Sequence, residues 1–335
     1  MSCDEASNFD DESEVLSDVH IFTANEPFAA CSSSACTEKG MLSSFHYSRP
    51  VLCNYGSETH SERMPSLEAE VDEDGDFIVV RKDQQTTNRK KGYVVIEHSM
   101  ATPLQHVGLQ VWRGALLLAD YVMAKPDMFA GRVAIELGAG TGLVSIVLAM
   151  VAKMVFCTDT GEEVLRLCQR NIVRNSQLVP QENRVAVKEL NWQEEVASKA
   201  AESAEVGPFF WSREEIAQLY RADVILAADV VYDDDLTDAF FKTAYDLMSC
   251  LPSKTVLISV EKRLNFTLSN LEVGSPAYQH FQTCLEELSH YATDTVSFSV
   301  DQVPTDFPQI FSYDRVKFLE LWKVTSHHRA EGACK

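Results

Sequence analysis

Residues 133–150, VAIELGAGTGLVSIVLAM, constrain the fold of this chain more than any other stretch. Val133–Leu137 has the length and apolar character of a buried parallel strand. The run GAGTG follows and leads into a long apolar segment of helical character. Glycine lets the backbone turn sharply and lets a ligand approach main-chain N–H groups. Strand, glycine-rich turn and helix in this order predict an α/β fold that binds a nucleotide-like cofactor at the turn.

The spacing of the glycines distinguishes two kinds of cofactor site. Dinucleotide-binding folds place Gly or Ala at the third site of G-x-G-x-x-G, where this chain has Leu143. The observed pattern, E-x-G-x-G-x-G, resembles the first motif of class I S-adenosylmethionine (SAM) methyltransferases. A strand–helix turn that merely needs glycine is the alternative, and the acid before the first glycine disfavours it. The cofactor residues predicted from this stretch are Glu136, Gly138, Ala139 and Gly140.

The negative charge of the chain is concentrated near its amino-terminal end. The 335 residues carry a net charge of −21, and residues 1–80, with 17 acidic and 3 basic residues, account for −14 of it. This composition predicts a disordered acidic tail over residues 1–75. The domain that carries the cofactor motif is expected over 76–325, followed by a polar, frayed end over 326–335. The tail is either a docking or phosphorylation segment or a solvated extension. The charge disfavours direct nucleic-acid binding and favours basic partners.

The cysteine pattern argues against a disulfide framework and against a metal site. None of the nine cysteines forms a C-x-x-C pair or has a histidine at zinc-site spacing, so we expect reduced thiols and no metal in an intracellular protein. We also expect a monomer. The first twenty residues are acidic, and no long apolar run stands outside the cofactor helix, so neither a signal peptide nor a membrane span is expected. Arg89–Lys91 is either a nuclear import signal or a solvated turn. We therefore expect the protein in the nucleus, in the cytoplasm or in both.

Two predicted strands after the cofactor helix end on residues suited to an adenosine ligand. Met154–Thr158 ends at Asp159, where a carboxylate can accept both ribose hydroxyls, or can cap the next helix. Arg184–Trp192 ends on Trp192, which would cover an adenine face or fill the core. Trp112, upstream of the cofactor strand, has the same two possibilities, and its chemistry alone favours core packing.

Ala222–Tyr232 is the fourth predicted strand and ends beside the cofactor crevice. It should lie where the strand order of the sheet reverses, which is where open α/β sheets bind ligands. Burying Asp229 at the end of an apolar strand would be costly without a reason. The alternative, a cap for the next helix, is already supplied by Asp233–Asp235. Asp229 is therefore the best catalytic candidate, with Tyr232 beside it.

The other predicted elements frame this crevice. They are a hairpin of strands Asp76–Val80 and Tyr93–Ile96, a helix over Gly114–Ala124, a strand over Thr255–Val260, a helix near Ser275–Tyr291, and an antiparallel pair of strands, Thr295–Val303 and Val316–Val324. Residues 193–221 form a charged insertion whose aromatic cluster, 209–211, either packs on the core or contacts a substrate. Residues 306–308 are a candidate lip of a substrate groove.

The motifs ELGAGTG, CTD, ELNW and AADVVYDD together resemble the seven-strand lysine methyltransferases of the methyltransferase-like 21 group, over roughly residues 90–325. The resemblance implies a Rossmann-like class I SAM methyltransferase: a seven-strand α/β sheet with helices on both faces and a terminal antiparallel hairpin. It implies SAM as cofactor and lysine in a non-histone protein as acceptor. The cofactor contacts that it implies are Trp112, the glycine loop, Asp159, Trp192 and Ala228. Its D-x-x-Y signature falls on Asp229 and Tyr232.

Other functions stay open at this point. The chain could be a SAM-binding scaffold whose acidic tail holds basic or chaperone-type partners. It could also methylate another acceptor, namely a small molecule, arginine or an amino terminus. The resemblance does not extend to the acidic tail or to the insertion at 193–221, so it implies nothing about them.

Overall fold

The computed structural model describes residues 14–21, 40–50, 89–194, 207–263, 265–267 and 272–329. In chain order the strands are β1 (Val15–Leu16), β2 (Met41–Pro50), β3 (Arg89–His98), β4 (Ala101–Thr102), β5 (Val133–Leu137), β6 (Met154–Asp159), β7 (Arg184–Glu189), β8 (Val224–Ala228), β9 (Thr255–Glu261), β10 (Asn265–Thr267), β11 (Glu272–Gly274), β12 (Val296–Val303) and β13 (Leu319–His328). The α-helices are α1 (Asp18–Ile21), α2 (Arg113–Ala124), α3 (Leu143–Ala149), α4 (Glu162–Arg174), α5 (Arg213–Leu219), α6 (Asp234–Met248) and α7 (Pro276–His290).

Seven strands form the central sheet, in the spatial order β12-β13-β9-β8-β5-β6-β7. Strands β5 to β9 run parallel, and β13 runs antiparallel to both β9 and β12. The predicted seven-strand Rossmann-like sheet with a terminal antiparallel hairpin is therefore confirmed. From β5 the chain moves outward to β6 and β7 and then returns to β8 on the other side of β5. The carboxyl ends of β5 and β8 thus flank the crevice where such sheets bind ligands.

Both faces of the sheet are buried, which explains the continuous apolar runs of its strands. In β8, Val224 and Leu226 belong to the cluster under α2, α3 and α4, while Ile225 and Ala227 belong to the cluster under α5, α6 and α7. Successive side chains of a strand point to opposite faces, so each strand contributes to both cores. The central strand β5, which leads into the glycine turn, is therefore packed on both faces between these two layers.

Two strands end earlier than the sequence predicts, and the difference shapes the site. Strand β7 stops at Glu189, because Asn191 turns the chain by accepting the N–H of Gln193 at 3.1 Å. Strand β8 stops at Ala228, because Asp229 adopts a left-handed φ of 53°. Trp192 and Tyr232 therefore lie on loops above the sheet and not within strands.

Part of the acidic segment is ordered, which corrects the prediction of disorder over residues 1–75 for its described residues. Strand β1 pairs with β4, and β2 pairs along its whole length with β3. Phe45 and Tyr47 of β2 are 2% and 8% exposed and join the core under α2 and α3. Burial of these alternating aromatic side chains offsets the cost of ordering the strand. The strand predicted at 76–80 lies outside the described residues, and its expected place beside the strand at 93–96 is taken by β2.

The other edge of β3 is bound by the amide side chains of Asn171 in α4 and of Asn175, the residue that caps the end of α4. Asn171 accepts the N–H of Glu97 at 2.8 Å and donates to its carbonyl at 2.9 Å. Asn175 does the same for Val95, at 2.9 and 2.7 Å. These pairs of hydrogen bonds replace a neighbouring strand and satisfy backbone groups that would otherwise be buried without partners. The hairpin of β2 and β3 is thereby attached to the helix that follows the cofactor strands.

The carboxyl-terminal hairpin differs from its predictions at two places. Strand β13 continues to His328, with Ser326 fully buried, so the predicted fraying does not begin at 326. Phe307, predicted at the lip of a substrate groove, is 7% exposed and packs edge-on against Tyr121 at 5.2 Å. The loop is held there by Asp120, whose carboxylate accepts the N–H groups of Ile310 and Phe311 and pairs with Arg315 at 2.6 Å.

The described part of the insertion packs on the core. Trp211 is 7% exposed, lies against Phe156 with ring centroids 5.2 Å apart, and donates its indole N–H to the carbonyl of Glu189 at 2.7 Å. Of the two roles considered for this aromatic cluster, core packing is therefore the observed one for Trp211. Residues 195–206 lie outside the described residues.

Candidate cofactor and catalytic site

A cleft of about 990 Å³, including its space open to solvent, lies at the carboxyl ends of β5, β6, β7 and β8. Residues 105–115, which lead into α2, close one side of it. All ten site residues predicted from sequence line this cleft: Trp112, Glu136, Gly138, Ala139, Gly140, Asp159, Trp192, Ala228, Asp229 and Tyr232. The structure thus brings the predicted cofactor and catalytic residues into one site.

The glycine turn lies so close to its neighbours that side chains do not fit. Gly138 and Gly140 have φ angles of 69° and 52°, which L residues rarely adopt. A Cβ on Gly140 would lie 2.9 Å from the carbonyl oxygen of Gly108, and one on Gly138 would lie 2.8 Å from Val230 Cγ1. The turn therefore presents bare backbone to the cleft, as a ligand that binds main-chain groups requires.

Asp159 accepts two backbone hydrogen bonds and can still accept others from a ligand. Its Oδ2 accepts the N–H of Gly140 at 2.7 Å, and its Oδ1 accepts the N–H of Thr160 at 2.7 Å. Burial raises the pKa of this carboxyl above its ordinary value, and the two N–H donors oppose the rise. Each carboxylate oxygen has a second lone pair, so two ribose hydroxyls can donate to Asp159 without displacing the backbone donors. This geometry fits the ribose role better than a helix cap.

Glu136 lies on β5, two residues before the first glycine of the turn, and is 1% exposed. The hydroxyl of Ser145 on α3 donates to its Oε2 at 2.5 Å, and the hydroxyl of Thr158 donates to its backbone carbonyl at 2.6 Å. Burial, together with the nearby charge of Asp159, raises the pKa of Glu136 to about 8. Glu136 therefore ties α3 to β5 and β6 beneath the glycine turn, and it carries a proton around neutral pH.

Trp192 forms a wall of the cleft opposite the start of α2. Its ring packs edge-on against Phe240 at 5.4 Å and lies beside Gly138. Its indole N–H is buried and makes no hydrogen bond to any described residue. A buried donor without a partner is costly in a finished core. The ring of Trp192 lines the cleft beside the glycine turn, and its flat face fits an adenine wall.

Trp112 lies at the start of α2 on the opposite side of the cleft. Its indole N–H donates to the carbonyl of Val107 at 3.1 Å. The guanidinium of Arg263 lies over its ring, 4.6 Å from the centroid, as in a cation–π contact. Trp112 is half-buried in the cleft wall, so its surroundings favour the ligand-contact role over core packing.

Asp229 makes more contacts than the sequence predicts. Its Oδ2 accepts the N–H of Gly114 at 2.8 Å, and its Oδ1 accepts the N–H of Glu261 at 2.8 Å. Its own N–H donates to the carbonyl of Ser259 at 2.9 Å. These three bonds hold the left-handed backbone, which a short polar residue tolerates at a modest cost. The carboxylate is thus fixed between α2 and β9 at the edge of the cleft.

Tyr232 is a neutral phenol in this setting. It is half-buried, and burial together with the charges of Asp159 and Asp233 raises its pKa to about 12. A phenol with this pKa does not serve as a base near neutral pH. Its contribution to the site is a ring in the cleft wall and a polar tip.

A group of charged residues that the sequence does not predict lies next to Asp229. Arg113 pairs with Glu261 at 3.1 Å, and Arg263 lies 3.3 Å from Asp18 and 3.7 Å from Asp229. Burial, reinforced by the charge of Asp229, raises the pKa of Glu261 to about 7. The run Glu261–Lys262–Arg263 directly after a predicted strand was the only available signal. Nothing in the sequence predicts that Asp18 reaches this point from the acidic segment.

The described residues fit SAM as the ligand of this cleft. The bare backbone of the glycine turn matches the amino-acid end of SAM, and the acceptor capacity of Asp159 matches its ribose. The flat ring of Trp192 matches its purine. Separately, none of the described helices is long and apolar enough to span a bilayer.

The sheet order, the terminal hairpin and this cleft together place the chain among the class I SAM-dependent methyltransferases. Residues 96–273 match the family model described as "Lysine methyltransferase", and the chain belongs to that family.

The chain is similar over most of its length to two relatives. It is 42% identical to human methyltransferase-like protein 22 over 92% of this chain and 81% of that protein. It is 38% identical to the mouse protein of the same name, over 92% and 95% of the two chains. It is also 32% identical to mouse protein N-lysine methyltransferase METTL21A, over 47% of this chain and 62% of that one.

Proposed function

We propose that this protein transfers a methyl group from SAM to the ε-amine of a lysine in a non-histone protein. The observation that carries the proposal is that Asp229 and Tyr232 line the same cleft as Asp159 and Trp192. The residues suited to an acceptor amine and those suited to an adenosyl cofactor therefore share one space. Membership of the lysine methyltransferase family supports lysine as the acceptor.

The cofactor would be held from three sides of the cleft. The backbone at Gly138 and Gly140 approaches its amino-acid end, Asp159 accepts the ribose hydroxyls, and Trp192 covers the adenine. Trp112, Ala139 and Ala228 complete the walls. When bound, SAM supplies an electrophilic methyl carbon on a sulfonium. The new N–C bond forms as the C–S bond breaks, and the lysine nitrogen releases one proton.

Asp229 would orient the incoming lysine. Its carboxylate is fixed by the two backbone donors, and each oxygen still has a lone pair for an ammonium N–H. An ordinary lysine is almost wholly protonated at neutral pH, so its nitrogen must lose a proton before it can attack. Entry into a partly dry cleft lowers the lysine pKa, and the proton leaves to water. Most of the rate then comes from holding the two reactants in line.

The charge of the chain supports a protein substrate that is basic at its contact surface. The net charge is −21, and long-range attraction of this sign favours basic partners, chaperone-type proteins among them. We expect the protein in the nucleus, the cytoplasm or both, as a monomer.

A radioactive transfer assay tests the proposal most directly. Cell extract is incubated with the purified chain and methyl-tritiated SAM, and labelled proteins are hydrolysed to identify the methylated residue. Methyl-lysine is expected with the wild type, and at least tenfold less with D159A, because this substitution removes the predicted ribose acceptor. E162Q, an exposed carboxylate of α4, is the matched control and should label like the wild type.

Three outcomes would contradict the proposal. Label in arginine, in an amino terminus or in a small molecule would assign another acceptor. SAM binding by calorimetry without transfer to any acceptor would favour a scaffold. A heat of binding measured by calorimetry with NAD, and none with SAM or its demethylated product, would assign a different class of cofactor to the cleft.

A further inference from the structure

Three potential metal ligands meet outside the cleft, on the face of the sheet covered by α6 and α7. Asp238 lies on α6, and His280 and Cys284 lie one turn apart on α7. Their ligand atoms all lie within 4.8 Å of one another. The two helices are packed together near this point, with the rings of Phe241 and Phe281 5.9 Å apart.

The distances within this group are close to those of a tetrahedral zinc site. Cys284 Sγ lies 3.7 Å from His280 Nε2 and 3.6 Å from Asp238 Oδ1. Usual zinc–ligand bond lengths at tetrahedral angles place a sulfur about 3.5 Å from a nitrogen or oxygen ligand. His280 Nε2 and Asp238 Oδ1 are hydrogen-bonded at 2.7 Å. Only these two atoms must move apart, by about 0.7 Å, to reach the separation of two ligands of a tetrahedral zinc ion. The Asp238 side chain is 62% exposed, so its carboxylate is free to make that adjustment.

The same three residue types could also form a nucleophilic triad, but the geometry disfavours it. Asp238 and Cys284 both approach Nε2 of His280, so the carboxylate cannot orient the ring from its other nitrogen. Burial and the charge of Asp238 raise the pKa of Cys284 to about 12, which is the opposite of an activated thiol. A bound cation reverses this preference, because it takes the place of the thiol proton.

The surroundings of the three ligands are open to solvent and contain negatively charged side chains. Asp238 and Cys284 border an open groove of about 740 Å³, including its space open to solvent. Glu287 lies in the same groove, and the exposed Lys242 is the cation there. A divalent ion would add two positive charges to a site that holds two carboxylates and a potential thiolate. Cysteine, histidine and carboxylate in combination suit zinc better than magnesium or calcium, which prefer oxygen ligands only.

We propose that Asp238, His280 and Cys284 bind one Zn²⁺ ion, with water in the fourth position, and thereby cross-link α6 to α7. No metal is predicted from the sequence because its cysteines show neither C-x-x-C pairs nor a matched histidine spacing, whereas these ligands come from two helices joined by tertiary packing. Helix α6 begins two residues after Tyr232, so a bound ion would also stabilise the helix that anchors the D-x-x-Y loop. The site is independent of the proposed methyl transfer.

The test uses the full chain without an affinity tag, stripped of metal by a chelator. Zinc is titrated by calorimetry, and cobalt is added separately as a spectroscopic probe. We expect one zinc ion per chain, a cobalt spectrum with a thiolate-to-metal charge-transfer band, and a rise in Tm with zinc. C284S and H280Q should each lower zinc affinity at least tenfold and abolish the rise in Tm. C250S, an exposed cysteine at the end of α6, and H290Q, an exposed histidine on α7, are the matched controls and should bind like the wild type.

Two results would overturn the site. One is zinc affinity unchanged in both C284S and H280Q, and the other is a cobalt complex of the wild type without the thiolate band. If circular dichroism shows that C284S is unfolded, D238N replaces it. That variant changes an exposed carboxylate to its isosteric amide and should also lose at least tenfold in zinc affinity. Retained affinity in folded D238N would likewise contradict the proposal.

Discussion

The carboxylate of Asp229 accepts a hydrogen bond from the backbone N–H of Gly114 at 2.8 Å, across 115 residues of chain. Its other oxygen accepts the N–H of Glu261 at the end of β9. The residue predicted to hold the substrate amine therefore also joins the first turn of α2 to the sheet. Ser259 reinforces this junction by donating its hydroxyl to the carbonyl of Gly114 at 2.8 Å. Catalytic geometry and local stability are coupled at this position.

Gly114→Ala should damage that junction. The added Cβ would lie 2.6 Å from Asp229 Oδ2, so the carboxylate must move and lose a charged hydrogen bond worth about 1.5–3 kcal/mol. We expect a lower free energy of unfolding and a lower kcat/KM, measured by denaturant titration and by the transfer assay. A Cβ at Gly274 meets nothing within 4 Å, so Gly274→Ala is the matched control. Unchanged stability in Gly114→Ala would mean that the contact with Asp229 is not held in solution.

Asp229→Asn should lower both activity and stability. An amide has one acceptor oxygen, so one of the two backbone N–H donors would face an NH₂ group, at a cost of about 1–3 kcal/mol. Loss of the charge that holds the ammonium should reduce kcat/KM by about one to two decades. SAM affinity, measured by calorimetry, should change little because the main cofactor contacts, at Gly138, Gly140, Asp159 and Trp192, lie at or after the ends of other strands.

Asp233→Asn is the control for Asp229→Asn. Asp233 caps α6 by accepting the N–H of Leu236 at 2.9 Å, and asparagine caps helices equally well. Full activity in Asp229→Asn, or complete loss of SAM binding there, would contradict the orienting role assigned to Asp229.

Tyr232 should act through its ring. Because its phenol stays protonated near neutral pH, Tyr232→Phe should retain most of the activity, whereas Tyr232→Ala should raise KM for the protein substrate at least tenfold. The two variants are compared in the transfer assay at saturating SAM. A loss in Tyr232→Phe as large as that in Tyr232→Ala would show that the hydroxyl is essential.

Glu136 should make the stability of the protein depend on pH. Its pKa is about 8 in the folded state and near 4.5 in the unfolded chain, so the folded state holds an extra proton between these values. The free energy of unfolding should therefore fall as the pH rises through this window. Glu136→Gln cannot titrate and should flatten that fall, whereas the exposed Glu162→Gln should not. Equal slopes in denaturant titrations of wild type and Glu136→Gln would refute this assignment.

Strand β2 should contribute to the stability of the catalytic domain. Phe45→Ala empties a fully packed site and should lower the free energy of unfolding by about 3–5 kcal/mol. Met41→Ala, at a position 43% exposed on the same strand, should change it much less. Similar small effects of both substitutions would indicate that β2 is not docked in solution.

The local patterns of the chain were sufficient to predict the parallel strands and most residues of the cleft, whereas the cofactor roles of Trp112 and Ala228 followed only from the family resemblance. The apolar run of β5, the glycines after it and the strand ends at Asp159 and Asp229 are short-range signals. Their meeting point follows from a general rule, because parallel strands end at one edge and ligands bind where their order reverses. Residue type and position along the chain are therefore enough to predict that these strand ends meet in one cleft.

Tertiary structure alone decided which groups surround those residues. Asp18 reaches Arg263, β2 replaces the strand expected beside β3, and Asp238 meets His280 and Cys284, each across a long stretch of chain. None of these contacts leaves a periodic or local signature, because each depends on how separate helices, strands and loops pack. The double role of Asp229 has the same origin: its sequence context predicts burial, but only the folded chain brings the N–H of Gly114 to its carboxylate.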